Sequence, residues 1–260
     1  MVMRTKPTRP PPSREAIAIS MRGLVNVLGG TLIHDHVDLD VKRGEVLGVV
    51  GGSGSGKSVL LRTIIGLQKP VEGDIRVLGE PIGQLQGRDL RALQMRWGVL
   101  FQEGALFGSQ TVAENIQVPL REYTGMDQQL MDEISSMKIA MVGLPEDTAQ
   151  KYPSELSGGM KKRAGLARAM ALDPSILLVD EPSAGLDPIT ASEIDELLVE
   201  TKRNGTTLVV VTHNIPSARI VGDDFGVLHE GRLLARGTIE DLDASDEPIV
   251  QAFMRSQGGG

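Results

Sequence analysis

The stretch GGSGSGKS, Gly51 to Ser58, fits the pattern G-x-x-x-x-G-K-[ST]. Its glycines let successive backbone N–H groups turn inward around the α- and β-phosphates of a nucleotide, and the N-terminus of the helix that follows adds partial positive charge. Lys57 is placed to bridge the β- and γ-phosphates and Ser58 to ligate Mg2+. Gly51, Ser53, Gly54, Ser55, Gly56, Lys57, Ser58 and Val59 are therefore the nucleotide-binding candidates. A plain glycine turn would account for the glycines, but not for the lysine, the hydroxyl and the flanking patterns together. A second pattern, ILLVDE, delivers two adjacent acids at the end of an apolar run. Beside a phosphate loop, such a strand can present a magnesium ligand and then a water-activating base at its carboxyl end, which assigns Asp180 to the first role and Glu181 to the second. A third, LSGGM, puts Ser157, Gly158 and Gly159 at the start of a helical stripe formed by Met160, Ala164, Ala167 and Ala171. That helix start is an anion site with no lysine of its own.

The elements that must hold these residues are legible in the apolar spacing. EVLGVV is a valine-rich run feeding through the glycines into a helix with apolar residues on several sides, which predicts a buried parallel strand and a buried helix. SILLVDEP and TTLVVVTH lack alternation and predict strands covered on both faces, giving an α/β fold. AIAISMRGLV and HVDLDVKRGE tend to alternate, as in a half-exposed sheet, and GDIRVLGEPI resumes strand character. From about Leu106 to Ala171 the patterns are mostly helical, broken by Pro119, Gly125, Pro145 and Pro153, and predict an inserted helical subdomain. Asp187 and Pro188 are placed as N-cap and first residue of a helix that turns Ile194, Leu197 and Leu198 to one face. FGVLHEGRLLARGT reads as a hairpin turning near Glu230 and Gly231.

Composition bounds the rest. A chain of 260 residues, 40% hydrophobic and 23% charged, can bury one large core. The net charge of -7 argues against nucleic acid as a partner. With no cysteine there is no disulfide, thiol chemistry or thiolate-bound metal, and the four scattered histidines form no metal pattern. No apolar run reaches the roughly 18 to 20 residues of a membrane-crossing helix, and no charged-then-apolar signal segment opens the chain, so a cytosolic protein is expected. Residues 1–16 are basic and proline-rich and predict a disordered tail. His34, His36 and His229 are expected at the surface, and Lys161, Lys162 and Arg163 on a solvated helix face, with a surface near anionic lipid or a partner's phosphates as the alternative.

The phosphate loop, LSGGM and LLVDEP, in this order and spacing, resemble the ATP-binding cassette family over nearly all the chain after the tail. The resemblance implies a RecA-like P-loop core with an antiparallel β subdomain and an inserted helical subdomain. The ATPase domain would cover 17–250, its helical part about 103–172, with 251–260 a short C-terminal tail carrying no large appended domain. It also implies that Ser157, Gly158 and Gly159 hold the γ-phosphate of ATP bound to a second copy, in a head-to-tail dimer closing over two ATP molecules. Gln102 in VLFQEG resembles the Q-loop glutamine, which senses magnesium and the attacking water. Asp187 resembles the D-loop aspartate at the dimer interface, and His213 in VVVTHN the switch histidine on the γ-phosphate. The sequence departs from the pattern twice. Met160 stands where glutamine is usual, and GLVNVLGG lacks the usual aromatic platform for adenine, leaving Val27 or Leu28 as weak apolar contacts.

FQEGALFGSQTVAENIQVPLRE, SELSGGMKKRAGLARAMALDP and DEPSAGLDPIT together resemble the ATPase of Mla-type phospholipid transporters. That likeness implies a peripheral protein on the cytoplasmic face of the inner membrane, partnered by a permease, an MCE-domain protein and in many systems a STAS-domain protein. Leu106 and Phe107 would be anchors for the permease, with ordinary packing inside the helical subdomain as the other reading of each. The alternatives are the ATPase of a small-solute importer and a non-transport cassette ATPase.

Overall fold

The computed structural model describes residues 16–256, so residues 1–15 of the expected tail and 257–260 lie outside it. Strands β1 (Ile17–Leu28) and β2 (Thr31–Lys42) form an antiparallel ribbon. In β2, Val37, Leu39 and Val41 are buried and Asp38 is exposed, the period-2 alternation of a half-covered sheet. β3 (Val46–Val50) is buried at every position and runs through the glycine loop into α1 (Lys57–Ile64). β4 (Glu72–Val77) pairs with β1 and the short β5 (Glu80–Pro81) with β4, completing a sheet in the order β2-β1-β4-β5.

α2 (Gly87–Gln94) and β6 (Trp97–Leu100) come next, both too short to stand out in the sequence. Then α3 (Val112–Tyr123), α4 (Gln128–Met141) and α5 (Gly158–Ala169) occupy the stretch expected to be helical. Thr111 starts α3 with a capping box, accepting from the Glu114 N–H while the Glu114 carboxylate accepts from Thr111 N–H. Pro119, expected to break the helix, lies inside α3; Ile116 and Leu120, both buried, hold the helix against the core on either side of it.

β7 (Ile176–Asp180), α6 (Pro188–Arg203), β8 (Thr207–Thr212), α7 (Ile215–Val221), β9 (Asp224–His229) and β10 (Arg232–Gly237) follow. They join β3 and β6 in a sheet of order β10-β9-β3-β8-β7-β6, parallel from β9 to β6 with β10 antiparallel at the edge. Glu230 and Gly231, with φ of 45° and 77°, make the tight turn of the β9–β10 hairpin that their types predict. α8 (Ile239–Asp243) and α9 (Pro248–Ser256) close the described chain; α9 crosses position 250 and buries Val250 and Met254.

The lack of alternation in β7 and β8 has its cause in two cores, one on each face of the parallel sheet. Leu177, Val179, Leu208 and Val210 pack with Ile116, Leu166, Ile194 and Leu198 on the side of α3, α5 and α6. Leu178, Val209 and Val211 pack with Leu60, Ile64, Met21 and Leu39 on the side of α1 and the antiparallel sheet. A strand with helices on one side and a second sheet on the other has no face left for polar residues.

Candidate functional site

The site lies at the carboxyl ends of the parallel strands, where β3, β7 and β8 each hand over to a loop. The glycine loop wraps between β3 and α1. Gly51 has no room for a side chain, since a Cβ there would stand 2.2 Å from the Leu228 carbonyl oxygen. Gly56 caps α1 with φ +100°, a conformation open to glycine. Ser55 Oγ is buried with no hydrogen-bond partner, an orphaned polar atom inside a loop whose shape suits a phosphate oxygen. Lys57 Nζ donates to the carbonyls of Gly51 and Gly52 at 2.8 and 2.9 Å and stands 3.9 Å from Glu181 Oε1. Burial lowers its pKa, against the pull of Glu181 and Asp180.

Ser58 Oγ donates to Asp180 Oδ1 at 2.9 Å, which brings the first residue pair of the proposed metal site together across 122 positions of sequence. Burial pushes the Asp180 carboxyl above its usual range, with the Ser58 hydrogen bond acting the other way and Glu181 adding to the rise. A buried carboxylate whose charge is disfavoured, beside a hydroxyl, is the hard-oxygen pair that Mg2+ suits. The residues present therefore fit the ion, and among the described residues no cluster of three or more His, Cys, Asp or Glu offers a rival metal site.

Glu181 is buried and held from both sides of its carboxylate. Oε2 accepts from Thr212 Oγ1 at 3.1 Å and His213 N–H at 3.3 Å, and Oε1 lies 2.9 Å from His213 Nδ1. His213 stays half-exposed at the mouth. The glycine loop from Ser53 to Val59, Gln102, Glu181 and His213 line one cleft of about 440 Å3 together with Ile33. That arrangement can cradle a polyphosphate and aim a carboxylate at an attacking water. Ile33 lines this cleft and was not singled out from sequence, whereas Val27 and Leu28 lie partly exposed at the end of β1 and are not in its lining.

Ser157, Gly158, Gly159 and Asp187 do not line the cleft. They form a second cluster. Ser157 caps α5 by accepting from Met160 N–H, and Asp187 caps α6 by accepting from the N–H groups of Ile189 and Thr190. A Cβ on Gly159 would meet Thr190 Cγ2 at 2.4 Å, so α5 and α6 start shoulder to shoulder.

Two expectations fail here. His34 is fully buried, not at the surface, while His36 is exposed beside Asp35 and His229 partly so. Thr63 Oγ1 donates to the Val59 carbonyl at 2.7 Å, so it must accept from Asn26 Nδ2 at 3.1 Å; the same amide then donates to His34 Nδ1 at 2.8 Å. This order of donors makes His34 neutral with its proton on Nε2. Nε2 faces the Gly56 backbone without a well-formed hydrogen bond, close enough that a Cβ on Gly56 would be 2.7 Å away. Burial lowers the His34 pKa, which the Gly56 backbone partly opposes. The basic run on α5 is not a solvated face either. Lys162 is buried, and Arg163 donates to the Val142 carbonyl and pairs with Glu193. On α5 Lys162 shares a helix face with Gly165, Leu166 and Ala169, all buried. Of the two expected anchors, Phe107 is exposed under the Arg168 guanidinium and Leu106 is partly buried against the core.

Residues 34–184 match the family described as ABC transporter. Among known proteins, the chain is 42% identical over 242 residues to the probable ribonucleotide transport ATP-binding protein mkl of Mycobacterium leprae (strain TN), covering 93% of this chain and 70% of that one. It is 38% identical over 237 residues to the intermembrane phospholipid transport system ATP-binding protein MlaF of Escherichia coli (strain K12), covering 91% of this chain and 88% of that one. Its fold is similar to the dimeric structure of a post-hydrolysis state of the ATP-binding cassette MJ0796 bound to ADP and Pi, with a TM-score of 0.78 and 31% identity over 85% of this chain and 98% of that one.

Proposed function

As a member of the ABC transporter family, the chain is an ATP-hydrolysing, ATP-binding subunit, and we propose that it powers the movement of phospholipid or a similar lipid between membranes through a separate permease. The observation that carries the lipid reading is the match to MlaF along most of both chains, 91% of this one and 88% of that one. A second reading, transport of a ribonucleotide or other small solute, is favoured by the higher identity of 42% to mkl, of which the chain spans 70%.

In the proposed mechanism Lys57 bridges the β- and γ-phosphates while the Gly51 to Ser58 loop and Val59 enclose them, a role supported by the self-bonded lysine and the orphaned Ser55 hydroxyl. Mg2+, held by Ser58, Asp180 and Gln102, would neutralise charge on the phosphates. Glu181 takes the proton of the attacking water, and His213, 2.9 Å from it, orients the carboxylate and reaches the γ-phosphate. Ser157, Gly158, Gly159 and Asp187, grouped outside the cleft, serve the nucleotide of a second copy in a head-to-tail dimer. The dimeric cassette structure of similar fold supports this. Among the described residues no helix is long and apolar enough to cross a membrane. The lipid path belongs to the permease, with an MCE-domain protein and a STAS-domain protein as further partners and the chain peripheral at the inner membrane.

Affinity purification of the chain from detergent-solubilised native membranes, with mass spectrometry of accompanying proteins and lipids, tests this reading. A polytopic permease, an MCE-domain protein and bound phospholipid are expected. A solute-binding protein in place of the MCE-domain protein overturns the lipid substrate in favour of the second reading.

A further inference from the structure

Lys162, two residues past Met160 on α5, is 6% exposed, and its Nζ donates to the backbone carbonyl of Glu181 at 2.7 Å. The peptide it grips is unusual. Glu181 has a φ of +48°, in the left-handed region that residues with a side chain rarely adopt. Besides Lys162, that carbonyl receives the Ala184 N–H at 3.3 Å, while the Glu181 N–H donates to Val211 at 2.9 Å. Burial lowers the Lys162 pKa, while the carboxylates of Glu103, Glu181 and Asp180 act to raise it.

The same helix holds the segment after Gln102. Arg168 donates to the Ala105 and Gly104 carbonyls at 2.7 and 2.9 Å, and Gly165 lets α5 lie so close that a Cβ on it would stand 3.0 Å from Gly104 Cα. α5 thus holds the backbone that follows β6 as well as the backbone that follows β7.

We propose that Lys162 is a positioning residue for Glu181: from the helix that opens with Ser157, Gly158 and Gly159, it locks the left-handed Glu181 peptide and so keeps the carboxylate on Thr212 and His213. The inference rests on the reading of Glu181 as the water-activating base. It adds that a shift of α5, when its N-terminus meets the nucleotide of a second copy, is delivered to the base in its own chain.

The test is steady-state phosphate release and ATP binding by the full chain with Mg2+, for Lys162→Met, Lys162→Arg and Glu181→Gln. Displacing a catalytic group by about 1 Å costs up to about 100-fold in rate, so Lys162→Met is expected to lower kcat by about tenfold or more with KM for ATP changed less than about threefold. Lys162→Arg, which restores the charged donor, is expected to recover most of that loss. Should Lys162→Met not accumulate as folded protein, Lys162→Gln, a shorter neutral donor, is read in its place and is expected to fall between. Wild-type kcat in Lys162→Met beside an inactive Glu181→Gln overturns this inference alone. Loss of ATP binding together with turnover, without rescue by Lys162→Arg, makes Lys162 a packing residue and also overturns it. Wild-type turnover in Glu181→Gln removes the base itself and the inference with it.

Discussion

The buried chain of Val59, Thr63, Asn26 and His34 beneath the glycine loop can be tested by a double-mutant cycle. His34→Leu leaves one Asn26 N–H without its 2.8 Å acceptor in a site where both residues are 0% exposed. A buried donor stripped of its partner costs about 1–3 kcal/mol. Asn26→Val does the same to His34 Nδ1 and also removes the donor to Thr63. Replacing both ends of the pair by apolar groups deletes the unmet demand along with the bond, so the double variant should cost less than the sum of the singles by about 1–2 kcal/mol. Urea unfolding at pH 7.5 measures the cycle. pH gives a second readout. Burial lowers the folded pKa of His34 below its ordinary 6.5, so the unfolded chain binds the proton more readily, and stability falls as pH drops through 6.5 toward the lowered value. His34→Leu should lose that part of the slope. Single variants that add within about 0.5 kcal/mol, with the acid slope unchanged, refute the network.

Three further outcomes are expected. Glu181→Gln keeps an acceptor for Thr212 and His213 N–H and should fold and bind ATP, but lower turnover by about 100- to 10,000-fold; wild-type turnover removes Glu181 from its proposed role. Asp195 is buried against the Ser217 hydroxyl and its pKa is raised by burial, so the native state holds the proton more tightly and stability falls as pH rises from about 4 through the raised value. Asp195→Asn should flatten that descent in a series of thermal melts, and an unaltered descent would assign it elsewhere. Gly98→Ala puts a methyl carbon 2.0 Å from the Ala169 carbonyl oxygen, where β6 meets the end of α5. It should destabilise the protein by about 1–3 kcal/mol in urea, and a change under 0.5 kcal/mol would show that the two elements part easily.

What the sequence by itself determined is what contiguous residues encode. The glycine loop needs its φ-permissive residues, lysine and hydroxyl in one unbroken run, and the hairpin turn at Glu230 and Gly231 needs only its own two residues. The buried strands declared themselves because a run covered on both faces loses its alternation, as β7 and β8 do between two cores. Pro188 and Asp187 likewise marked the start of α6 from adjacent positions. Only the tertiary structure decided which side of an element meets what. Lys162 belongs to a basic run that looks solvated, and it turns inward because α5 lays that face against the Glu181 peptide. His34 sits in an alternating strand, and it is buried where Asn26 of β1, itself bonded to Thr63 of α1, and Gly56 of the loop close on it. Ser58 and Asp180 meet across 122 residues of sequence. Such pairings depend on how helices and sheets stack over long sequence separations, and no local spacing carries that information.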